Sequence, residues 1–288
     1  MTSNYLLYRL LEGYLPPFSW LIFGLRHHRR RFMRLKSRYD ALMKQWESAA
    51  ESGKDFPIAK QSEATRLRRT LVTYYPSTKK EIMPTRFGNA IRSFEVYPRE
   101  LYGVDSVPVW LRLASVIPRD YMALLDDARA QVDCFVNLTF LALLIALASL
   151  VDASYEADWH ALSLNGILVP FNSASLRHIA CAAGSSALAV IMYYWATERV
   201  IAWGGLDRSA FDCYLPAVLK QLGFAILPTD AERRDFWSEF SALITYEQAM
   251  TTDRWPLRSE LGAPMEPKAI SRPMTPRVLP VSPGARLP

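Results

Sequence analysis

No charged side chain occurs between Asp133 and Asp152, and none between Arg177 and Glu198. The two stretches so defined, Cys134–Val151 (CFVNLTFLALLIALASLV) and Ile179–Thr197 (IACAAGSSALAVIMYYWAT), are apolar runs of 18 and 19 residues. As helices they extend ~27–29 Å, close to the hydrocarbon thickness of a bilayer. The lack of charge excludes an ordinary solvent-facing helix pair. Two placements fit: a transmembrane hairpin, or two helices buried in the core of a large soluble protein. A charge at the centre of a membrane helix costs ~2.5–3.5 kcal/mol on insertion scales, so runs that stay uncharged to their ends point to the hairpin. With no ionisable group at mid-bilayer, an ion-coupled transporter has little to work with.

Cysteine is scarce and odd in number. Cys134, Cys181 and Cys213 are widely spaced, which argues against a disulfide framework and against a zinc site. Of the four histidines, His27 and His28 sit in a basic stretch, His160 lies between the apolar runs, and His178 flanks the second. None has a Cys, His or acidic partner at metal-ligand spacing, so no metal or other cofactor is expected. The glycines form neither G-x-x-x-x-G-K-[ST] nor G-x-G-x-x-G, the two common phosphate-cradling patterns. Gly184-Ser185-Ser186 lacks the G-x-S-x-G pattern, and no histidine lies at its depth to activate a serine. Asp126-Asp127 reads as a solvated face. No signal-peptide pattern is visible, since the first basic residue is Arg9 and no small-residue cleavage site follows an apolar core. No catalytic residue emerges, and a non-enzymatic role is expected.

Charge is present but uneven. Residues 26–131 hold 21 Lys and Arg against 12 Asp and Glu, whereas 152–178 hold three acids against Arg177. From Glu198 onward the two signs balance at 11 each, and the whole chain nets +6. Basic residues near helix ends mark the cytoplasmic side, which places 26–131 and the C-terminus inside and 152–178 outside. Arg26, Arg29, Arg30, Arg31 and Arg34, in the run RHHRRRFMRLKSRY, form a stop-transfer signal drawn to an anionic leaflet at ~1 kcal/mol per basic residue. The basic run has no nucleic-acid-binding fold signature around it, so no nucleic-acid partner is expected.

The chain divides into five parts. Residues 1–25 form an N-terminal membrane or interfacial segment: Pro16-Pro17 interrupt Tyr5–Leu25, and a kinked span, a re-entrant segment and an interfacial helix all fit. Residues 26–131 form the basic helical region, with helices expected from Arg26 to about Ala50, at Ile58 to about Val72, at Phe87–Val96 and at Asp105–Val116. Pro118–Val151 reads as one long helix, since apolar residues recur at three- and four-residue spacing and no breaker intervenes. Residues 132–203 form the hairpin. Residues 204–250 form further helices, with Gly204-Gly205 as a break, Pro216 as a bend and Asp230 as a cap. Residues 251–288 carry eight prolines and are expected to be disordered. On the second apolar run, Ala180, Gly184, Ser185 and Ala189 offer a small-residue face for close helix packing, either within the hairpin or between copies. Thr139, Ser185 and Ser186 are the polar groups that a pore formed by several copies would use.

A final pattern lies in the soluble part: Thr85-Arg86-Phe87-Gly88-Asn89, Tyr97-Pro98, Tyr102-Gly103-Val104-Asp105 and Trp110-Leu111-Arg112-Leu113, then Trp203-Gly204 and Ala210-Phe211-Asp212. It resembles an uncharacterised bacterial inner-membrane protein family reading T-R-x-G-N, Y-P, Y-G-x-D and W-P-R-L ahead of a transmembrane hairpin. This chain has Leu111 where the family tends to have proline. The resemblance covers roughly residues 84–224 and implies a bacterial cytoplasmic-membrane location and no known activity. Its charged members, Arg86, Asp105 and Asp212, are expected to form a polar cluster in which Arg86 pairs with an aspartate. The sequence thus predicts an all-α integral membrane protein, a two-helix transmembrane hairpin with a cytoplasmic helical domain. It would act as a scaffold or effector through a homo-oligomer or a protein partner, or else as an oligomeric pore or channel, with a membrane enzyme of unknown chemistry as the third reading.

Overall fold

Apolar side chains at alternating three- and four-residue spacing recur through most of the chain, and each such stretch is a helix in the computed structural model. The structure describes residues 5–16, 22–53, 55–157, 173–225, 227–247, 250 and 255. Among them the regular elements are all helical: α1 (Tyr5–Glu12), α2 (Ile22–Glu51), α3 (Ile58–Tyr74), a 3-10 turn (Lys79–Glu81), α4 (Arg86–Glu95), α5 (Tyr97–Tyr102), α6 (Ser106–Ala114), α7 (Arg119–Tyr155), α8 (Ser173–Gln221) and α9 (Asp230–Tyr246). The loop around Asn165 and, apart from Trp255, the proline-rich tail lie outside the described residues; Trp255, within the segment expected to be disordered, is buried edge-on against Phe236 of α9.

α7 and α8 pack antiparallel along a seam of mostly small side chains. On α7 the seam runs through Leu125, Val132, Thr139, Ala146 and Ala153, and on α8 through Ser175, Ala182, Ala189 and Ala196, all buried. Both sets repeat every seven residues, which keeps one stripe of each helix on the other. Over residues 141–155 and 173–192 the buried residues are confined to this seam and its flanks, and every other face is open.

The remaining helices gather at one end of this pair. Leu11 of α1 and Phe87, Ala90, Ile91 and Phe94 of α4 pack on Val132, Val136, Ala196 and Val200. Further along, Val109 and Leu113 of α6 and Phe236, Trp237 and Phe240 of α9 close over Leu125, Phe211, Leu215 and Val218. α2 and α3 form a separate antiparallel arm. The α2 side chains Leu25, His28, Phe32, Leu35, Tyr39, Leu42 and Trp46 recur at three- and four-residue steps: the five aliphatic, Phe and Tyr members pack with Ala64, Leu67, Leu71 and Tyr74 of α3, His28 meets Tyr75 and Trp46 stacks on Phe56. Arg38–Glu63 (2.9 Å) and Lys60–Gln45 (2.9 Å) bridge its flanks.

The structure corrects several local expectations. α8 runs unbroken through Gly204-Gly205 and through Pro216. Gly204 serves a close approach: a Cβ there would lie 2.4 Å from Cδ1 of Phe94. The cap of α9 is Thr229, whose side chain and that of Glu232 form a reciprocal capping box. α1 covers Tyr5–Glu12, 8 residues, and folds onto α4. A further short helix, α5, fills the Pro98–Gly103 interval and ends on Gly103 at φ +79°, where a Cβ would stand 2.6 Å from the Arg234 carbonyl oxygen.

The two adjacent glycines of α8 should therefore behave oppositely. Gly204→Ala forces Phe94 out of a filled contact and should cost ~1–3 kcal/mol. Gly205→Ala meets open space and should be neutral or stabilise by up to ~1 kcal/mol through helix propensity. Thermal melts of both variants in detergent check this, and equal shifts would contradict it.

Candidate functional site

The residues of the T-R-x-G-N stretch are joined through α4. Thr85 caps the helix by accepting from the Gly88 amide (2.9 Å), while its hydroxyl donates to the Leu11 carbonyl (2.6 Å). Gly88 leaves room for the same terminus, since a Cβ there would lie 2.4 Å from the Glu12 carbonyl oxygen. Asn89, almost wholly buried, donates to the Met83 and Thr85 carbonyls and accepts from the Met83 amide. Together these residues form a socket for the C-terminus of α1. The later residues work in the same way: Trp110 packs on Phe211, and Trp203 meets Phe94 edge-on with ring centroids 5.2 Å apart.

The expected pairing of Arg86 with Asp105 or Asp212 does not occur. Arg86 binds Glu198 of α8 (2.8 Å), and its guanidinium lies over the rings of Tyr74 (4.6 Å) and Tyr194 (5.5 Å). The Tyr74 hydroxyl donates to the same carboxylate (3.1 Å). Asp212 instead accepts from the Tyr97 (2.9 Å) and Tyr102 (2.7 Å) hydroxyls. Asp105 stands at the start of α6 without a side-chain cap bond, and its amide donates to Ser241 of α9. The physical reason is placement: Arg86 is on the first turn of α4 facing the end of the apolar run, whereas Asp212 lies more than three turns further along α8.

Sequence reasoning passed over the most buried charge of α8. Asp207 is 7 % exposed, on the α8 stripe that runs Val200, Gly204, Asp207, Phe211 at three- and four-residue steps, a spacing legible in the sequence. Burial, with Glu95 nearby, raises its pKa from 3.8 to about 7, against the pull of Arg208. Arg208 donates to the Val72 carbonyl (3.0 Å) and the Ser93 hydroxyl (2.9 Å), joining α8 to α3 and α4. Glu12 is likewise pushed up to about 7 by burial, although Arg9 pairs with it at 3.2 Å. Beside them Glu81 holds Arg92 and Arg99, which keep its carboxyl below its ordinary value despite burial. At the root of the arm His28 bonds the Tyr75 hydroxyl (3.2 Å), and burial lowers its pKa to about 4, so it is neutral near pH 7.

Of the small residues on α8, Ala189 lies in the seam, Ser185 is half-buried, and Ala180 and Gly184 face outward, with open space around Gly184. Thr139 is buried in the seam with its hydroxyl on the Phe135 carbonyl, and Ser186 is exposed. Arg26, Arg30, Arg31 and Arg34 are exposed on α2, and Arg29 is half-buried. Two shallow grooves lie nearby, one on α8 at Tyr194, Trp195, Glu198 and Arg199, the other between α2 and the 3-10 turn. Among the described residues no three His, Cys, Asp or Glu side chains converge to hold a metal ion. No protein-family model, curated protein or solved structure matches the chain.

Asp207 gives a pH test with a definite sign. The folded state keeps its proton up to about pH 7, while the unfolded carboxyl releases it near ~4. Between those values the folded state binds more protons, so stability falls as pH rises and levels off above 7. Asp207→Asn removes a penalty on the order of 4 kcal/mol. Its melting temperature should exceed that of the parent by several degrees at pH 8 and match it near pH 4. A lower value at pH 8 would show that the carboxylate is stabilising.

Proposed function

We propose that the chain is an integral membrane protein of the bacterial cytoplasmic membrane. α7 and α8 cross the bilayer as a hairpin, and the helical body lies on the cytoplasmic side. In this reading the protein is a non-enzymatic scaffold or effector that works through self-association or a cytoplasmic protein partner. The observation that carries it is the apolar surface of the paired helices. Only 28 % of the most apolar window of α7 and 17 % of that of α8 is buried, whereas a core helix of a soluble protein would be mostly covered. Leu144, Leu147 and Leu150 on α7 and Leu188, Val190 and Ile191 on α8 all face outward. Contiguous apolar patches on soluble monomers rarely exceed a few hundred Å².

Aromatic residues at the two ends support the same placement, because Tyr and Trp favour the membrane–water interface. Tyr194 and Trp195 lie where the body begins, and Tyr155 projects at the far end, each about half exposed or more. The body end also carries the basic residues. The scaffold reading rests on how the polar residues of the family-like motifs are used: Thr85, Tyr97, Tyr102 and Asp212 bond to other helices of the body, and Asn89 fixes the start of its own. The outward Ala180 and Gly184 leave a face on which a second copy can approach closely.

Reporter fusions test the topology. A fusion at Asn165 should be active only as a periplasmic reporter, and fusions at Gly53 and Thr251 only as cytoplasmic ones. Cytoplasmic activity at Asn165, or release of the whole chain by alkaline washing, would overturn the reading.

A further inference from the structure

The α2–α3 arm holds twelve Lys and Arg against four Asp and Glu, a larger positive excess than the +6 of the whole chain. Its apolar seam faces inward, so these charges point out. At the root of the arm, α2 and the 3-10 turn enclose a groove floored by Phe32 and Met33 and rimmed by Lys36, Lys79 and Lys80, with Ser37, Asp40, Ser77 and Thr78 completing it. None of the three lysines has a carboxylate within 4 Å among the described residues. Glu81, next to Lys80, is already taken by Arg92, Arg99 and the Thr78 hydroxyl. Asp40 is the one carboxylate of the lining, which leaves an excess of two positive charges over an apolar floor.

Lysine ammonium groups act on phosphate as mobile point charges, and an unneutralised cluster of three suits that anion. We infer that the groove binds the phosphate of an anionic phospholipid headgroup in the cytoplasmic leaflet, which rests on the membrane placement proposed above. Two observations favour a bilayer over a nucleic acid. The groove is one turn of α2 from His28, which bonds Tyr75, and the neighbouring Tyr74 hydroxyl reaches Glu198, one turn of α8 from Tyr194. It therefore lies within a few helical turns of the aromatic boundary. Along the outer face of α2, Phe23, Arg26, Arg30, Met33 and Ser37 follow one another at helical spacing, with Phe23 82 % and Met33 44 % exposed. Exposed apolar side chains beside arginines let one face meet both the acyl boundary and the phosphates above it. The α2 arm is thus held against the leaflet by its outer face, with a lipid phosphate clamped by Lys36, Lys79 and Lys80.

The full chain, with Cys134, Cys181 and Cys213 replaced by Ser and a fluorophore on Ala41→Cys beside the groove, is reconstituted in phosphatidylcholine or phosphatidylglycerol nanodiscs. Shielding from acrylamide, a neutral quencher, should appear in phosphatidylglycerol discs only. Lys79→Gln should lower the ratio of shielded to open arm roughly fivefold, and Lys36→Gln with Lys79→Gln and Lys80→Gln should abolish shielding. A chain that inserts but shows no lipid-dependent shielding overturns this inference alone. A chain that fails to insert, judged by alkaline extraction, overturns the membrane placement. A saturable fluorescence change with inorganic phosphate or a short oligonucleotide in phosphatidylcholine discs, without a phosphatidylglycerol effect, overturns the lipid assignment.

Discussion

The α7–α8 seam is the constraint on which the rest depends. Small side chains at seven-residue intervals let the two helices approach closely over their whole shared length. That approach does two things at once. Over residues 141–155 and 173–192 it leaves each helix with no other cover. Over the remaining length it makes α8 a continuous spine on which α4, α6 and α9 pack. Gly204 continues this logic, because the missing side chain lets Phe94 enter where a methyl group would collide. Asp207 shows its cost, since the same stripe carries a carboxyl into the interior, where burial favours its neutral form.

Polar contacts between helices add to the apolar clusters of the body. Thr85 and Asn89 secure α1 and the start of α4, Asp212 secures α5 through two tyrosines, and Arg208 ties α8 to α3 and α4. Arg86, only partly exposed and flanked by two tyrosine rings, links α4 and α3 to the start of the body on α8. At such a half-exposed site the ion pair itself contributes at most ~1 kcal/mol, and its value lies in orientation.

Much of this was legible in the sequence. The long helix from Pro118 was readable because its apolar spacing never lapses, and the structure has α7 over Arg119–Tyr155. The short helices before it were placed to within a few residues by Pro98, Gly103 and Asp105. Other features were not legible, for physical reasons. Gly204-Gly205 looks like a break because glycine is a poor helix former, and only the presence of Phe94 shows it to be a contact. Arg86 could have met any of several acids, and its partner follows from the direction of α4, which one-dimensional spacing does not give. The seam of α2 from Leu25 to Trp46 is spaced at three- and four-residue steps, but the arginines interleaved with it lower the apolar contrast between its faces.

The central claim is that lipid covers the outward faces of α7 and α8. In a chain whose native cysteines are replaced by serine, single cysteines at Leu144 and Leu188 can be compared with one at Leu124. These positions are 62 %, 48 % and 54 % exposed, so geometry alone gives them similar access to reagent. In native membranes a water-soluble maleimide should label Leu124→Cys and leave Leu144→Cys and Leu188→Cys unmodified, since the reactive thiolate needs water. Equal labelling at all three positions would contradict the account.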